Sequence, residues 1–401
     1  MTPLVLSHFT ATSCIGRGLQ ATLDSLRAQR SGLAPCAFET VTLETHIGEV
    51  PGVDAVRLPA ALKRFDCRNN RLAQLGIVQD GFVEAVAACA GRWGRQRVGI
   101  FLGTSTSGML ETELAYRRRD PKTGALPADF DYAGSHNSYS LAAFVRASLG
   151  LEGPSAVVSS ACSSSAKVFG SARRMIAAGV IDAALVGGVD SLCLTTLYGF
   201  HSLQLVSRTP CRPFDVARDG ISIGEAAAFA LIERAPESPG DGAILLLGVG
   251  ESSDAYHMSS PHPEGRGARA AMLQALDDAG LTAQDIDYVN LHGTGTPNND
   301  SAEGNAVAAV FADRRQAVEA SSTKGATGHT LGAAGALEAV ICALSLRHGL
   351  LPGSANTQRV DATPGFEYLC ANRYRPIARA LSNSFGFGGS NCALVLGRPQ
   401  C

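Results

Sequence analysis

The sequence predicts an α/β protein of two similar halves, each built on mixed, mainly parallel sheets with helices over their faces. Three observations carry that expectation. Hydrophobic residues fill 45% of the 401 positions, yet aromatics are only 6% and glycines number 44, a population of small side chains suited to strands buried on both faces. Apolar strand-like runs alternate with Ala-rich helical stretches along the chain. Two stretches also share one order of elements: RLAQLGIVQDGFVEAVAACAG leads into RVGIFLGT, ending at Gly103-Thr104, and ARAAMLQALDDAG leads into IDYVNLHGT, ending at Gly293-Thr294.

The halves run over 1–235 and 243–401 and meet at RAPESPGDG, where Pro and Gly mark a linker. In the first half, about 105–150 breaks the periodicity (ETELAYRRRDPKTGALPADFDYAGSHNSYS) and predicts a cap over one face. AVVSSACSSSAKVFGSARRMIAAG then reads as a strand, a Ser-rich turn and a helix beginning near Cys162. SSTKGATGHTLGAAGALEAVICALSLRHG repeats that plan, and the two helices stop at Gly179 and Gly349.

Charge excludes some functions. With 34 Lys+Arg against 36 Asp+Glu the net charge is −2, which rules out nucleic-acid binding by overall charge and a disordered acidic tail. Eleven cysteines, from Cys14 to Cys401, include no CxxC pair; they indicate neither a metal site nor a disulfide framework, but small core residues in a reducing compartment. MTPLVLSHFT has no basic leader, and the longest uncharged stretch, Ser191 to Ser207, is broken by Thr, Tyr, His, Ser and Gln. The expectation is a cytoplasmic protein without a membrane span.

Four segments could carry chemistry. Cys162 at a helix N-terminus should have its pKa lowered by unpaired amides, needing no adjacent base; a lone cysteine among eleven reads first as a buried structural residue, and the strand-turn-helix setting is what singles this one out. His292, directly after DYVNL in a Gly/Thr/Pro turn, sits where parallel sheets place ligand groups, or is a loop histidine satisfied by backbone. Lys324 and His329 share another strand-to-helix turn. A buried Lys324 needs a counter-charge, for which Glu303 is the candidate. In SNSFGFGGSN, Ser382 to Asn391, Gly386, Gly388 and Gly389 let amides approach a ligand, with Phe387 as a gate or a core plug. GxxxxGK[ST] is missing, so nucleotide binding is not indicated.

Together, SSACSSSA, HGTGTPNND, STKGATGHTLGAAGALEA and SNSFGFGGSN resemble the elongating β-ketoacyl-[acyl-carrier-protein] synthases of the thiolase superfamily, over roughly residues 95–398. The resemblance implies a five-layered αβαβα fold and a decarboxylative Claisen condensation, with acyl carrier protein as partner and a homodimer or a heterodimer with a related ketosynthase or chain-length-factor subunit. It casts Cys162 as nucleophile, His292 and His329 as the pair acting on the malonyl thioester, Lys324 as supporting cation and Glu303 as its buried acid. It places the oxyanion hole at the amides of Cys162 and Phe387, and substrate contacts at Thr294, Thr296, Phe385 and Gly388. Thr106, where the family often has a bulkier aliphatic, implies a longer or more polar acyl pocket and a specialised, polyene-like substrate; TTLYGFHSLQLVSRTPCRPFD is similar to synthases of aryl polyene pathways. Carrier docking falls to Lys63, Arg64 and Arg68 and to Arg117, Arg118, Arg119 and Lys122. No cofactor is implied beyond the phosphopantetheine that arrives on the substrate. The other outcome of the same resemblance is a non-catalytic chain-length-factor-like subunit.

Overall fold

A computed structural model describes residues 3–361 and 365–399; Cys401 lies outside them. In the first half, β1 (Leu4–Ser13) is followed by α1 (Arg68–Ile77), α2 (Phe82–Trp93), β2 (Val98–Gly103), α3 (Met109–Arg117), α4 (Tyr139–Leu149), β3 (Ser155–Val158), α5 (Ser164–Ala177), β4 (Ala183–Asp190), α6 (Leu194–Ser202) and β5 (Ala226–Arg234). The second half has β6 (Leu245–Ser253), α7 (Arg266–Ala279), β7 (Tyr288–Asn290), α8 (Pro297–Val310), β8 (Val318–Ser321), α9 (Ala334–His348), β9 (Phe366–Tyr368), β10 (Arg379–Gly386) and β11 (Ser390–Gly397).

Along the sheet the strand order is β9-β8-β7-β10-β11-β6-β1-β5-β4-β2-β3. Read outward from the β1–β6 junction, the two halves repeat one topology, and the second adds β9. The halves join through the antiparallel pairs Leu4↔Leu246 and Val5↔Leu245. Within this sheet, parallel pairing is confined to β4-β2-β3 and β10-β7-β8-β9. The return strands β5 and β11 pair antiparallel with β4 and β10, so the parallel share is smaller than strand–helix alternation predicts: β11 returns through a hairpin, and β5 through a connection whose helix α6 packs beside α3.

Side-chain alternation builds five layers, since successive residues of a strand face opposite ways. On β5, Ala226, Ala228, Ala230 and Ile232 face a central core shared with α5 and α9, whereas Ala227, Phe229 and Leu231 face an outer core with α1, α2 and α4. On β11, Cys392, Leu394 and Leu396 point to the centre, and Ala393 and Val395 point outward against α7 and α8. The central helices α5 and α9 are therefore covered by sheets on both sides. They approach so closely that a Cβ on Gly335 would lie 2.7 Å from Ala166 Cβ. The stretch 331–348 is long and apolar enough to cross a membrane, but 89% of it is buried inside the protein.

The 105–150 segment divides. α4 buries Leu141, Phe144 and Val145 in the first outer core and belongs to the helical layer; α3 and the loop to about residue 131 form the exposed cover, lying beside α6.

Candidate active site

The nucleophile turn is assembled from its own hydroxyls. Ala161 takes a left-handed conformation (φ 52°), which a non-glycine residue adopts at a cost. Ser164 Oγ accepts from the Ser160 amide (2.9 Å) and donates to Ala161 O (2.6 Å), and Ser163 Oγ donates to Ser160 O (2.9 Å). These bonds hold Cys162 just before the first helical residue of α5, Ser164.

Three loops converge on its sulfur. His329 Nε2 lies 3.0 Å from Cys162 Sγ, and one ligand atom each from Cys162, His292 and His329 falls within 4.8 Å of the others. The two imidazoles stand edge-on, 5.2 Å between centroids at 86°. His292 Nδ1 faces Lys324 Nζ at 3.4 Å; an ammonium only donates, so Nδ1 accepts and Nε2 carries the hydrogen. His329 Nδ1 has no partner among the described residues, so no second hydrogen bond sets its tautomer.

Burial dominates the electrostatics. It pushes the Cys162 thiol up to about 12, against the Lys324 charge and the Phe387 and Cys162 amides. The lowered pKa expected from a helix N-terminus is thus overturned, because a thiolate loses more hydration in this interior than the amides return. The adjacent His329 supplies the base that the sequence reading left out. Burial also holds both histidines well below 6.5, helped by Lys324, so both are neutral.

Lys324 pairs with Glu338 on α9, not with Glu303. Both partners are buried. Glu303 spends its oxygens on the His292 amide (2.8 Å), the Gly293 amide (2.7 Å) and Asn383 Nδ2 (3.0 Å), and burial raises its pKa to about 7. It supports His292 through the backbone, as Asp300 supports the next turn by accepting from the amides of Thr294 and Gly295. Glu338 carried a signal: it is a lone acid in an otherwise apolar helix, and such a residue is rarely buried unpaired.

A cavity of about 210 Å³ leads to the sulfur; Phe385, Phe387, Gly388, Thr294 and Thr296 line it. The Thr294 and Thr296 hydroxyls bond each other at 2.9 Å. The GFGG segment closes the β10–β11 hairpin, Gly388 (φ 79°) and Gly389 (φ 74°) being left-handed. The Phe387 ring meets Phe200 of α6 at 5.5 Å, so Phe387 stands at the mouth rather than in a core.

Two expectations fail. Thr106 is absent from the cavity lining: its hydroxyl donates to Asp190 (2.8 Å) and accepts from the Ser191 amide (3.2 Å), so it adds no polarity to a pocket. Asp190, unnoticed in the sequence, also takes the hydroxyls of Thr104 and Ser105 and the amide of Gly332, tying the loop after β2 to the loop before α9. Arg68 is 2% exposed and bound to Glu225, Asp54 and Glu49, so it cannot meet a carrier. Lys63, Arg64, Arg117, Arg118, Arg119 and Lys122 are exposed, with Arg64 paired to Asp131 and Arg118 to Asp129.

Family models for the β-ketoacyl synthase N-terminal and C-terminal domains match residues 83–238 and 244–358. Nodulation protein E of Rhizobium meliloti is 37% identical over 309 residues, 75% of each chain. The 3-oxoacyl-[acyl-carrier-protein] synthase 2 of Rhizobium meliloti is 40% identical over 265 residues, 62% of each chain. Among solved structures, the ketosynthase ApeO in complex with its chain length factor ApeC from Xenorhabdus doucetiae superposes with a TM-score of 0.87 at 36% identity, covering 99% of this chain and 98% of that one. The ishigamide ketosynthase/chain length factor reaches 0.88 at 27% identity, covering 100% of both chains. Sequence, topology and the Cys162 surroundings agree: the chain belongs to the β-ketoacyl synthase family.

Proposed function

We propose that this chain transfers an acyl group from acyl carrier protein to Cys162 and condenses it with malonyl-carrier protein, giving β-ketoacyl-carrier protein and CO2. The observation that carries the reading is the convergence of Cys162, His292 and His329 at the end of a cavity, with the amides of Cys162 and Phe387 at the sulfur. In the first step His329 Nε2 accepts the thiol proton as Sγ attacks the thioester carbonyl, and returns it to the departing phosphopantetheine thiol. The two amides stabilise the oxyanion. In the second step the malonyl carboxylate leaves as CO2, and the enolate oxygen takes hydrogen bonds from His292 Nε2–H and from His329, whose ring, with Nδ1 unbound, now carries its hydrogen on Nε2. The enolate carbon attacks the acyl carbonyl, the carbonyl re-forms as the Cys162 thiolate departs, and the thiolate takes a proton from solvent through the cavity. Lys324, neutralised by Glu338, orients His292 with Nε2–H inward. The reading calls for no metal or organic cofactor.

The named relatives support a carrier protein and a second ketosynthase-type chain as partners. The outer edge of β3 is unpaired among the described residues, and it is the face we assign to that second chain, a copy or a chain-length-factor-like subunit. The intact Cys162–His329 contact makes this chain the catalytic member of either pair. All ten described cysteines are free, which fits action in the cytoplasm. The exposed groups at Lys63–Arg64 and Arg117–Lys122 remain our docking surfaces for an acidic carrier.

Intact mass after mixing the protein with acyl carrier proteins bearing saturated chains and polyenes tests the reading. An adduct on Cys162, absent from Cys162→Ala, is expected, and the favoured chain separates a fatty acid pathway from a specialised polyene one. Absence of any adduct, with or without a partner chain, would overturn the catalytic reading in favour of a non-catalytic subunit.

A further inference from the structure

We propose that Cys162, His292 and His329 also form a site for a soft divalent cation such as Zn2+, whose binding reversibly blocks the cysteine. The inference rests on the geometry of these side chains and not on the condensing activity.

One sulfur and two imidazole nitrogens already lie within 4.8 Å of one another. Tetrahedral zinc, with bonds of about 2.0–2.3 Å, holds its ligand atoms roughly 3.3–3.8 Å apart, and His329 Nε2 is 3.0 Å from the sulfur before any metal arrives. Small rotations about the side-chain torsions therefore complete a tripod. Its legs come from three separate loops: the elbow at Ala161, the turn after β7 that Glu303 holds by two amides, and the turn after β8. His292 coordinates through Nε2, the ring nitrogen opposite the one that faces Lys324, after its hydrogen passes from Nε2 to Nδ1; Nδ1 then gives up the hydrogen bond from Lys324, and the ammonium stays with Glu338. The nearest cation does not repel the metal outright, because Lys324 is neutralised by Glu338.

Three protein ligands facing a cavity leave a fourth position open to water or a small anion. On binding, the S–H bond breaks, the proton leaves to solvent and sulfur donates its pair to the metal; no electron transfer is involved. A metal-bound sulfur cannot take an acyl group, and an acylated sulfur cannot take the metal.

Cobalt(II) is the probe, since a thiolate ligand gives it a near-ultraviolet charge-transfer band and four-coordination gives intense visible bands. Titration of the purified full chain should saturate at one equivalent, and Zn2+ should displace the cobalt. The band should vanish in Cys162→Ala and in wild-type protein alkylated at Cys162, and persist in Cys193→Ala. His292→Ala should raise the Kd for cobalt about tenfold or more. The proposal is overturned if the wild type shows no saturable charge-transfer band, or if the band survives loss or alkylation of Cys162.

Discussion

The pairing of Lys324 with Glu338 is open to a double-mutant cycle. Both groups are almost fully buried, with side-chain exposures of 1% and 3%, so removing one partner strands a charge in the interior at a cost of about 3–5 kcal/mol. Lys324→Met and Glu338→Leu should each be destabilised by that amount. The double variant restores neutrality, and a buried ion pair replaced by apolar residues is often neutral in stability. Here it also loses the hydrogen bond from Lys324 to His292, which is worth about 1.5–3 kcal/mol for a charged donor. The double variant should therefore sit near a 1.5–3 kcal/mol loss, against roughly 6–10 kcal/mol from adding the singles, a coupling of at least about 3 kcal/mol. Urea unfolding followed by circular dichroism, with m-values compared across the set, reads the four stabilities. A parallel cycle of Lys324→Met with Glu303→Gln should couple far less. The reasoning is refuted if the Lys324 and Glu338 effects add within about 0.5 kcal/mol, or if Glu303 is the residue that couples.

Three further outcomes follow from the same geometry. Cys162→Ala should lose acyl transfer and condensation completely yet retain decarboxylation of malonyl-carrier protein, because both imidazoles remain; CO2 release measured without an acyl donor checks this, and full condensation by the variant would contradict the assignment. Burial holds His292 and His329 below their unfolded value near 6.5, so below that pH the unfolded chain binds protons the folded chain refuses. Stability should then fall with pH, by up to about 1.4 kcal/mol per unit for each histidine. Glu303 and Glu338, both raised to about 7, act in the opposite sense between pH 7 and 4.5, so the histidine effect is read as a difference: His292→Gln should gain stability relative to wild type as pH falls below 6.5, and a difference that does not change with pH would refute it. Finally, Lys63→Glu with Arg64→Glu should raise KM for acyl carrier protein several-fold without changing kcat, whereas Arg68→Gln should lower folding stability, since it orphans the buried Glu225; an unchanged KM in the first variant would remove that surface from docking.

Local features of the chain were legible in its sequence. Period and punctuation place the strands and helices, and the Gly-Thr pairs at the end of β2 and in the turn after β7 betray the repeat, because both signals span a few neighbouring residues. Pairings between distant segments left weaker traces. Glu303 and Glu338 both look available to Lys324 along the chain; only the packing of α9 between two sheets decides. The Cys162 thiol likewise reads as activated while only its helix is considered, and burial, a property of the whole interior, reverses the sign. Thr106 and Arg68 fail for a related reason: a polar side chain was assigned to substrate or carrier when an unseen buried partner, Asp190 or Glu225, already holds it.

The repeat also explains why neither half could act alone. In each half the third strand ends in a loop that opens a central helix: Cys162 before α5 in the first, Lys324 and His329 before α9 in the second. Because α5 and α9 touch through Ala166 and Gly335, the two loops are brought to one end of the central layer. There Asp190 of the first half holds the Gly332 amide of the second, and the sulfur of one half lies 3.0 Å from the imidazole of the other. The distance on which acyl transfer depends is therefore a packing distance between halves. A side chain larger than hydrogen at Gly335 should separate them, so Gly335→Val is expected to depress acylation of Cys162 while leaving every reacting group in place; acylation at the wild-type rate in a folded Gly335→Val protein would show that the central helices do not set the geometry.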